Sequence, residues 1–117
     1  MQNNRTVGTN YERIAAEYLE RKGYEILACN YRCRMGEIDL IARDHTILVF
    51  VEVKYRSNAC KGNPLEAITK KKQKVISRCA NHFLVCSNLY NVSCRFDAIG
   101  ILNGKIQHIE NAFEYLS

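Results

Sequence analysis

The chain carries the stretch ILVFVEVK at positions 47–54, its most apolar run, and this run ends in two charged residues. Its β-branched and aromatic residues are apolar at odd and even positions alike, which predicts a central β-strand at 46–55. Side chains alternate along a strand, so Phe50, Glu52 and Lys54 share one face. Burying a carboxylate or an ammonium is costly unless the charge is paired or binds a metal. The end of this strand is therefore the first candidate for a functional site.

Hydrophobic periodicity and turn-forming residues predict two helices and five strands. Asn63-Pro64 is typical of an N-cap followed by a first helical turn, and Asn103-Gly104 is typical of a tight hairpin. The second helix is long enough to connect the third strand to a parallel neighbour. The sequence therefore predicts a mixed sheet covered by helices, in the order α-β-β-β-α-β-β. The predicted elements are a helix at 9–22, strands at 24–32, 36–43 and 46–55, a helix from position 63, and strands at 94–102 and 105–110.

The composition indicates one α/β domain over residues 1–117, in which residues 1–7 form a flexible tail. Apolar residues make up 47% and charged residues 25% of the chain, as in ordinary globular domains. No apolar run approaches the ~20 residues of a membrane span, and the polar N-terminus does not resemble a signal peptide. We therefore expect a cytoplasmic protein without membrane contact, in which the six cysteines stay reduced.

Asp39 lies on the strand that precedes the apolar run. Along that strand Glu37 and Asp39 share one face, while Ile38 and Leu40 take the other. If the two strands pair as a hairpin, Asp39 approaches Glu52. Two converging carboxylates repel unless a cation lies between them, and oxygen ligands of this kind suit Mg²⁺ or Mn²⁺. The residues by themselves also permit a strand-end ion pair for Glu52, with Asp39 in solvent.

Each predicted helix contains a charged residue that could face this strand end. Lys72 lies at the centre of the apolar stripe of the second helix, so it either faces the sheet or extends past it to solvent. Gln73, at the edge of that stripe, could contact the same site. In the first helix, Glu12 either adds a third carboxylate to the metal site, directly or through water, or completes a capping box with Thr9. The sequence leaves both alternatives open.

Basic residues concentrate between positions 54 and 78, where eight lysines and arginines accompany one acid. Such a cluster is typical of a surface that holds a phosphate backbone, although a solvated helix face has the same composition. Further along the chain, Arg95 and Asp97 share a face of the fourth strand. Structural pairing of these two residues is the first expectation, and a phosphate contact by Arg95 is the second.

Taken together, these segments resemble the signature blocks of the YraN family over nearly the whole chain, from about Gly8 to Phe113. That family is similar to the archaeal Holliday-junction resolvases and belongs with the restriction-endonuclease-like fold of the PD-(D/E)xK superfamily. The resemblance implies an α-β-β-β-α-β core, to which this chain adds a C-terminal strand. Ile38 stands where the superfamily motif has proline, as in many members. The matching blocks are Gly8-x-x-x-Glu12, GEIDLI at 36–41, VFVEVK-x-R at 49–56, Lys72-Gln73 and Arg95-Phe96-Asp97.

The resemblance also implies roles for individual residues. Asp39 and Glu52 match metal ligands, Glu12 matches a further acid of the first helix, and Lys54 matches the catalytic lysine. These roles imply a Mg²⁺- or Mn²⁺-dependent DNA endonuclease acting on substrates such as branched or recombination intermediates, for which a symmetric homodimer would be suitable. The alternatives are a non-catalytic nucleic-acid-binding protein with the same fold, or a structural or regulatory protein whose acids form ion pairs. The residues expected to contact nucleic acid are Arg13, Arg56, Lys70, Lys71, Lys72, Gln73, Lys74 and Arg95.

Overall fold

The structure is a computed structural model that describes residues 10–56 and 68–116. These residues form two helices and five strands in the predicted order α-β-β-β-α-β-β. The bounds of the first four strands agree with the sequence prediction to within about one residue, and the fifth strand is longer than predicted. The elements are α1 (Asn10–Arg21), β1 (Glu25–Cys33), β2 (Gly36–Asp44), β3 (Ile47–Arg56), α2 (Lys70–Cys86), β4 (Cys94–Leu102) and β5 (Lys105–Phe113).

The five strands form one mixed sheet in the order β1-β2-β3-β4-β5. β3 and β4 run parallel, while each other neighbouring pair is antiparallel. α2 lies between the two parallel strands in the chain, as the sequence predicts. Asn103 and Gly104 have φ values of 53° and 77°, as the tight hairpin between β4 and β5 requires. The prediction of a mixed α/β sheet flanked by helices is therefore confirmed.

Each face of the sheet has its own apolar core. On one face Val51 packs in a cluster with Leu19 of α1, and on the other face Phe50 packs in a cluster with Ile76 of α2. β3 is thus covered on both sides, which explains why its residues are apolar at consecutive positions. Because side chains alternate, Glu52 lies on the α2 side of the sheet.

The predicted orientation of one β2 residue is wrong. Regular alternation predicts Ile38 and Leu40 on one face, but Ile38 packs in the core under α2 and Leu40 in the core under α1. On the neighbouring strand Asn30 has a φ of 54°, and the register between β1 and β2 contains no pair between Asn30 and Asp39. A left-handed residue inside a strand interrupts the alternation of side chains. Asp39 therefore lies at an irregularity that the sequence pattern did not reveal.

The second helix begins later than the sequence predicts. Thr69 is its N-cap, and the Thr69 side-chain oxygen accepts a hydrogen bond from the backbone N–H of Lys72 at 3.1 Å. Ile68 therefore precedes α2 and is not part of its apolar stripe. The predicted N-cap at Asn63-Pro64 lies outside the described residues, as does the predicted tail at 1–7.

The cysteines of the described residues are all free thiols. Cys79 is fully buried on α2, where it packs in the core under that helix. Burial raises the pKa of Cys79 to about 12, so this thiol stays protonated and behaves as an apolar side chain. Cys60 lies outside the described residues. Within the described ranges, none of the helices combines the length and hydrophobicity that a membrane span requires.

Gly36 is predicted to be required for the close contact between the β1–β2 turn and α2. A Cβ at this position would lie 2.5 Å from Cγ1 of Val75, and the backbone has a φ of 153°. We expect Gly36→Ala to lower the free energy of unfolding by about 1–3 kcal/mol, because the turn or the helix must move. Chemical denaturation measures this loss. Gly23→Ala is the matched control, since Gly23 has a φ of 98° but open space around its Cβ; equal losses would contradict the steric explanation.

Candidate functional site

β2 and β3 separate at the point where the candidate residues lie. Their last backbone pair on this side is Leu40–Val51, and beyond it Oδ2 of Asp39 accepts a hydrogen bond from the backbone N–H of Val53 at 2.8 Å. The carboxylate thus takes the place of a backbone acceptor between the two strands. The sequence predicted that Asp39 approaches Glu52 across this pair of strands, and the two carboxyl groups lie close enough for each to affect the pKa of the other.

Glu52 is buried beside two lysines on the α2 side of the sheet. Only 2% of its side chain is exposed, and its Oε2 lies 3.1 Å from Nζ of Lys54 and 3.6 Å from Nζ of Lys72. Lys72 therefore faces the sheet, which decides between the two orientations that the sequence left open. The other oxygen of Glu52, Oε1, is buried without a hydrogen-bond partner among the described residues. Such an oxygen costs free energy, so the lysines satisfy Glu52 only in part.

A second group of carboxylates lies next to α1. Glu12, Glu37 and Asp39 each offer one oxygen, and these three atoms lie within 4.8 Å of one another. Oε1 of Glu12 is buried and has no hydrogen-bond partner in the described part of the chain, while burial raises the pKa of Glu12 and the side chain of Asn30 opposes this increase. Glu37 also pairs with Nε of Arg32 at 3.4 Å. The acids of α1 and β2 therefore converge at the irregular part of the sheet.

Two members of this group have roles that the sequence did not assign. Glu37 was expected only to share a face with Asp39, and Asn30 was not singled out at all. The one local signal for Asn30 is its residue type, because asparagine tolerates left-handed backbone better than most residues. For Glu12, contact with Asp39 agrees with the metal-site alternative. The capping-box alternative stays a prediction, since its partner Thr9 lies outside the described residues.

Asp39 connects the two groups electrostatically. Burial raises the pKa of Asp39 to about 6, and the nearby charge of Glu12 contributes to the increase. Burial and repulsion from Asp39 raise the pKa of Glu52 to about 7, against the attraction of Lys72 and Lys54. Burial also raises the pKa of Glu12. Neighbouring acids with raised pKa values are typical of functional sites, because a structural role does not require them to be close together.

The donor atoms at this site suit a hard divalent cation. All candidate ligands are carboxylate oxygens, which Mg²⁺ and Mn²⁺ prefer. Oε1 of Glu12 and Oε1 of Glu52 are the two buried side-chain polar atoms that lack a hydrogen-bond partner within the described ranges. A cation would stabilise the ionised carboxylates and reduce the repulsion between them. The carboxylates of Glu12, Glu37 and Asp39 therefore have the chemistry that a Mg²⁺ or Mn²⁺ site requires, whereas the predicted ligand Glu52 is not part of that group.

Most of the predicted nucleic-acid contacts lie at the N-terminal end of α2. Lys70, Lys71 and Lys74 are exposed there, and the first turn of the helix contains no acid. The helix dipole makes this end positive, so a group of lysines is unfavourable unless an anion binds. Gln73 differs from the lysines, because its Nε2 donates to the backbone oxygen of Ile68 at 3.2 Å.

Two further residues that were predicted to contact nucleic acid are close in sequence to Glu12 and Lys54. Arg13 is exposed on α1 and directly follows Glu12. Arg56, at the end of β3, donates from Nη1 to the backbone oxygen of Tyr55 at 2.9 Å. Both remain predicted nucleic-acid contacts.

Arg95 belongs to a different cluster. Its Nε and Nη2 donate to the two carboxylate oxygens of Asp97 at 2.8 Å and 2.9 Å, and Nη2 also donates to the hydroxyl of Tyr24 at 2.6 Å. Its Nη1 lies 3.4 Å from Asp44 and 3.8 Å from Glu110. The first expectation, structural pairing with Asp97, is confirmed. The surrounding carboxylates would repel a phosphate, so the structure argues against Arg95 as a nucleic-acid contact.

Comparison with known proteins finds one family. The model of the uncharacterised protein family UPF0102 matches residues 11–101, a range that contains all the candidate site residues. A UPF0102 protein of Lachnoclostridium phytofermentans is 50% identical over 113 residues, which cover 96% of each chain. UPF0102 proteins of Alkaliphilus metalliredigens and Clostridioides difficile are 43% and 44% identical; the matches cover 93% and 95% of this chain and 98% and 99% of the relatives.

Without a divalent cation, Asp39→Asn is predicted to stabilise the protein, and to do so more near about pH 8 than near about pH 5. Because folding raises the pKa of Asp39 from 3.8 to about 6, the folded state loses stability as the pH rises from about 4 to about 6, and only part of this loss has occurred at about pH 5. The asparagine amide is uncharged at every pH, so the Asp39→Asn variant avoids this loss. The gain in the free energy of unfolding is of the order of 1–3 kcal/mol, since one pKa unit corresponds to about 1.4 kcal/mol. Thermal unfolding with EDTA at both pH values measures the difference.

Asp97→Asn is the control with the opposite sign. Burial tends to raise the pKa of Asp97, but hydrogen bonds from His108 and Arg95 hold it below its usual value, so ionisation favours the folded state. This variant should lower the melting temperature at both pH values. A lower melting temperature for Asp39→Asn at the higher pH would contradict the cost that we assign to the Asp39 charge.

Proposed function

This chain belongs to the uncharacterised protein family UPF0102, the YraN family that its motifs resemble, and we propose that it is a metal-dependent endonuclease. It hydrolyses phosphodiester bonds in DNA, with branched or recombination intermediates among its substrates. The observation that supports the proposal is the group of carboxylates at this site, in which Glu12, Glu37 and Asp39 converge, and in which burial and the nearby Asp39 raise the pKa of Glu52 beside Lys54. Lys54 alone could pair with Glu52, whereas a second buried acid adds repulsion that only a proton or a cation relieves.

The architecture supports a restriction-endonuclease-like arrangement. The described elements follow the α-β-β-β-α-β order that the family resemblance implies, with β5 as the additional strand. The candidate residues lie where β2 and β3 separate, between the two helices that cover the sheet. Because fold by itself does not determine function, the proposal depends on the site rather than on the architecture.

Asp39, Glu52 and Glu12 are the proposed ligands of a Mg²⁺ or Mn²⁺ ion, and Glu37 lies close enough to Glu12 and Asp39 to contribute. Such an ion polarises the scissile phosphate and lowers the pKa of a bound water. The protein holds Asp39 in position through the Val53 amide at 2.8 Å. The carboxylates are thereby kept close together before any ion binds, which reduces the cost of arranging them.

Lys54 is the proposed catalytic lysine. Its Nζ lies 3.1 Å from Oε2 of Glu52, and 24% of its side chain is exposed. The ammonium is therefore held at the buried acid while remaining accessible to a substrate phosphate. It can orient the attacking water and stabilise the negative charge that develops on the phosphoryl oxygens. Lys72, which lies 3.6 Å from the same oxygen, can contact the same phosphate from α2.

The lysines at the start of α2 would hold the backbone of the nucleic acid. Lys70, Lys71 and Lys74 are exposed on the helix that also provides Lys72. Contacts of this kind orient a duplex without reading its sequence, and they weaken steeply as the salt concentration rises. A symmetric homodimer would provide two such sites, one for each strand.

A non-catalytic nucleic-acid-binding protein is the second candidate. One observation favours it: Oε2 of Glu52 already contacts both Lys54 and Lys72, so the charge of Glu52 has partners without an ion. In that case the basic surface still binds nucleic acid, but no bond is cut. A structural or regulatory protein that uses these acids only as ion pairs would not bind nucleic acid.

Purified protein with Mg²⁺ or Mn²⁺ is expected to cut at least one substrate among four-way junctions, flaps and linear duplex, and to cut none with EDTA. Glu52→Ala should reduce cleavage by roughly 100-fold or more, because it removes a metal ligand. The same variant should still bind the substrate, since the basic residues of α2 are unchanged. Gel electrophoresis measures cleavage, and fluorescence anisotropy measures binding.

Glu17→Ala is the matched control, because Glu17 is an exposed acid on α1. It should cut and bind as the unaltered chain does. Binding without cleavage on all substrates would support the non-catalytic candidate. Absence of binding at low salt would exclude both nucleic-acid proposals.

Mn²⁺ is expected to raise the melting temperature more near about pH 8 than near about pH 5. Protons compete with the cation for Asp39 and Glu52, whose pKa values are raised to about 6 and about 7. Thermal unfolding with increasing Mn²⁺ measures the effect, and Asp39→Asn should remove most of it. Asp44→Asn, which changes an acid outside the site, should keep the shift. Equal shifts at both pH values would contradict metal binding by these carboxylates.

A further inference from the structure

Two exposed tyrosines stack on each other beside the candidate site. Tyr11 comes from the first turn of α1 and Tyr55 from the end of β3. Their ring centroids lie 3.9 Å apart with an angle of 14° between the planes, and 38% and 37% of these residues are exposed. The two rings thus form one aromatic surface that reaches solvent. None of the roles proposed above requires this surface.

The position of the pair connects it to the site. Tyr11 directly precedes Glu12, and Tyr55 directly follows Lys54. Consecutive Cα atoms are about 3.8 Å apart, so both rings start from backbone next to a candidate catalytic or metal-binding residue. Val53 packs against the core under α1, and alternation along β3 places Tyr55 on that same side. The aromatic pair therefore lies at the α1 side of the carboxylates.

The chemistry of this surface suits a nucleobase. An aromatic ring with an accessible face stacks well on any base, largely without regard to sequence. Within a paired duplex, both faces of each base are already covered by neighbouring bases, so only an unpaired or displaced base can stack on a protein ring. Arg13 and Arg56 lie next to the pair in sequence, and their guanidinium groups are suited to the adjoining phosphates.

We propose that Tyr11 and Tyr55 form a base-stacking platform, and that the substrate has an unpaired nucleotide beside the bond that is cut. This inference depends on the proposed nuclease function and specifies its substrate class. Single strands, bulges and the unpaired bases at a branch belong to this class, whereas an uninterrupted duplex does not. The platform positions the strand by its base, while the carboxylates and Lys54 act on the adjoining phosphate.

A purely structural stack would have different consequences. If the two rings only fasten α1 to β3, replacing either ring should weaken the fold and reduce binding to all nucleic acids equally. A leucine keeps much of the apolar contact but has no aromatic face, whereas a phenylalanine keeps the face and loses only the hydroxyl. Comparison of the two replacements at one position therefore separates stacking from packing.

The experiment measures binding in EDTA to three fluorescent DNA probes: a short single strand, a duplex with a single-nucleotide bulge, and a fully paired duplex. The unpaired base is 2-aminopurine, whose fluorescence decreases on stacking. We expect tighter binding to the two probes with an unpaired base than to the paired duplex. Tyr55→Leu and Tyr11→Leu should weaken binding to those two probes roughly 5- to 100-fold and leave duplex binding nearly unchanged.

Tyr55→Phe should retain both the affinity and the fluorescence decrease. Tyr90→Leu is the matched control, because Tyr90 is 69% exposed in the loop after α2 and should have no effect. Equal losses on paired and unpaired probes in the leucine variants, or unchanged fluorescence on binding, would overturn the platform and leave the nuclease proposal intact. Failure of the unaltered chain to bind any probe would overturn both proposals.

Discussion

The position of the Asp39 carboxylate between two central strands is the constraint on which the rest of the site depends. Backbone pairing between β2 and β3 stops at Leu40–Val51, and the amide of Val53 is bonded instead by Asp39 at 2.8 Å. A buried N–H must have an acceptor, so the carboxylate has a structural role even before it has a chemical one. The same carboxylate lies close to the acids beside α1, and burial together with its charge raises the pKa of Glu52 on the α2 side, so one residue couples the two faces of the sheet.

The electrostatic balance of the site differs on the two faces. Toward α2, Glu52 is next to Lys54 and Lys72, whereas toward α1 the acids Glu12 and Asp39 lie together with little compensating charge. Burial raises the pKa values of Glu12, Asp39 and Glu52. A cation bound beside these acids would stabilise their ionised forms. In the proposed nuclease, the lysines on the α2 side would receive phosphate, and the acids on the α1 side would hold the metal together with Glu52. A phosphodiester substrate would use both, and the tyrosine pair next to α1 would select which strands can reach them.

Several features could be predicted because they depend on local periodicity or on one turn. The central strand was recognised from its consecutive apolar residues, and the shared face of Glu52 and Lys54 follows from regular alternation. Lys72 was a candidate site residue because a lysine interrupts the apolar stripe of the second helix. The sequence did not decide whether its side chain faces the sheet or solvent. Local spacing predicts only one of the partners of Arg95. Its pairing with Asp97 was expected from their spacing, but the remaining partners come from distant parts of the chain, and their negative charge argues against a phosphate contact.

The sequence by itself determined the order of helices and strands, the mixed sheet and the residues at the end of β3, because local patterns encode these features. Only the tertiary structure decided how the acids combine. Opposite the left-handed Asn30 of β1, the alternation of β2 is interrupted, since Ile38 and Leu40 pack in different cores and Asp39 lies between strands. Glu37 joins Glu12 and Asp39 at this point of the sheet. The regular alternation of side chains along a strand cannot predict such an interruption, because the interruption depends on how neighbouring strands and helices pack together.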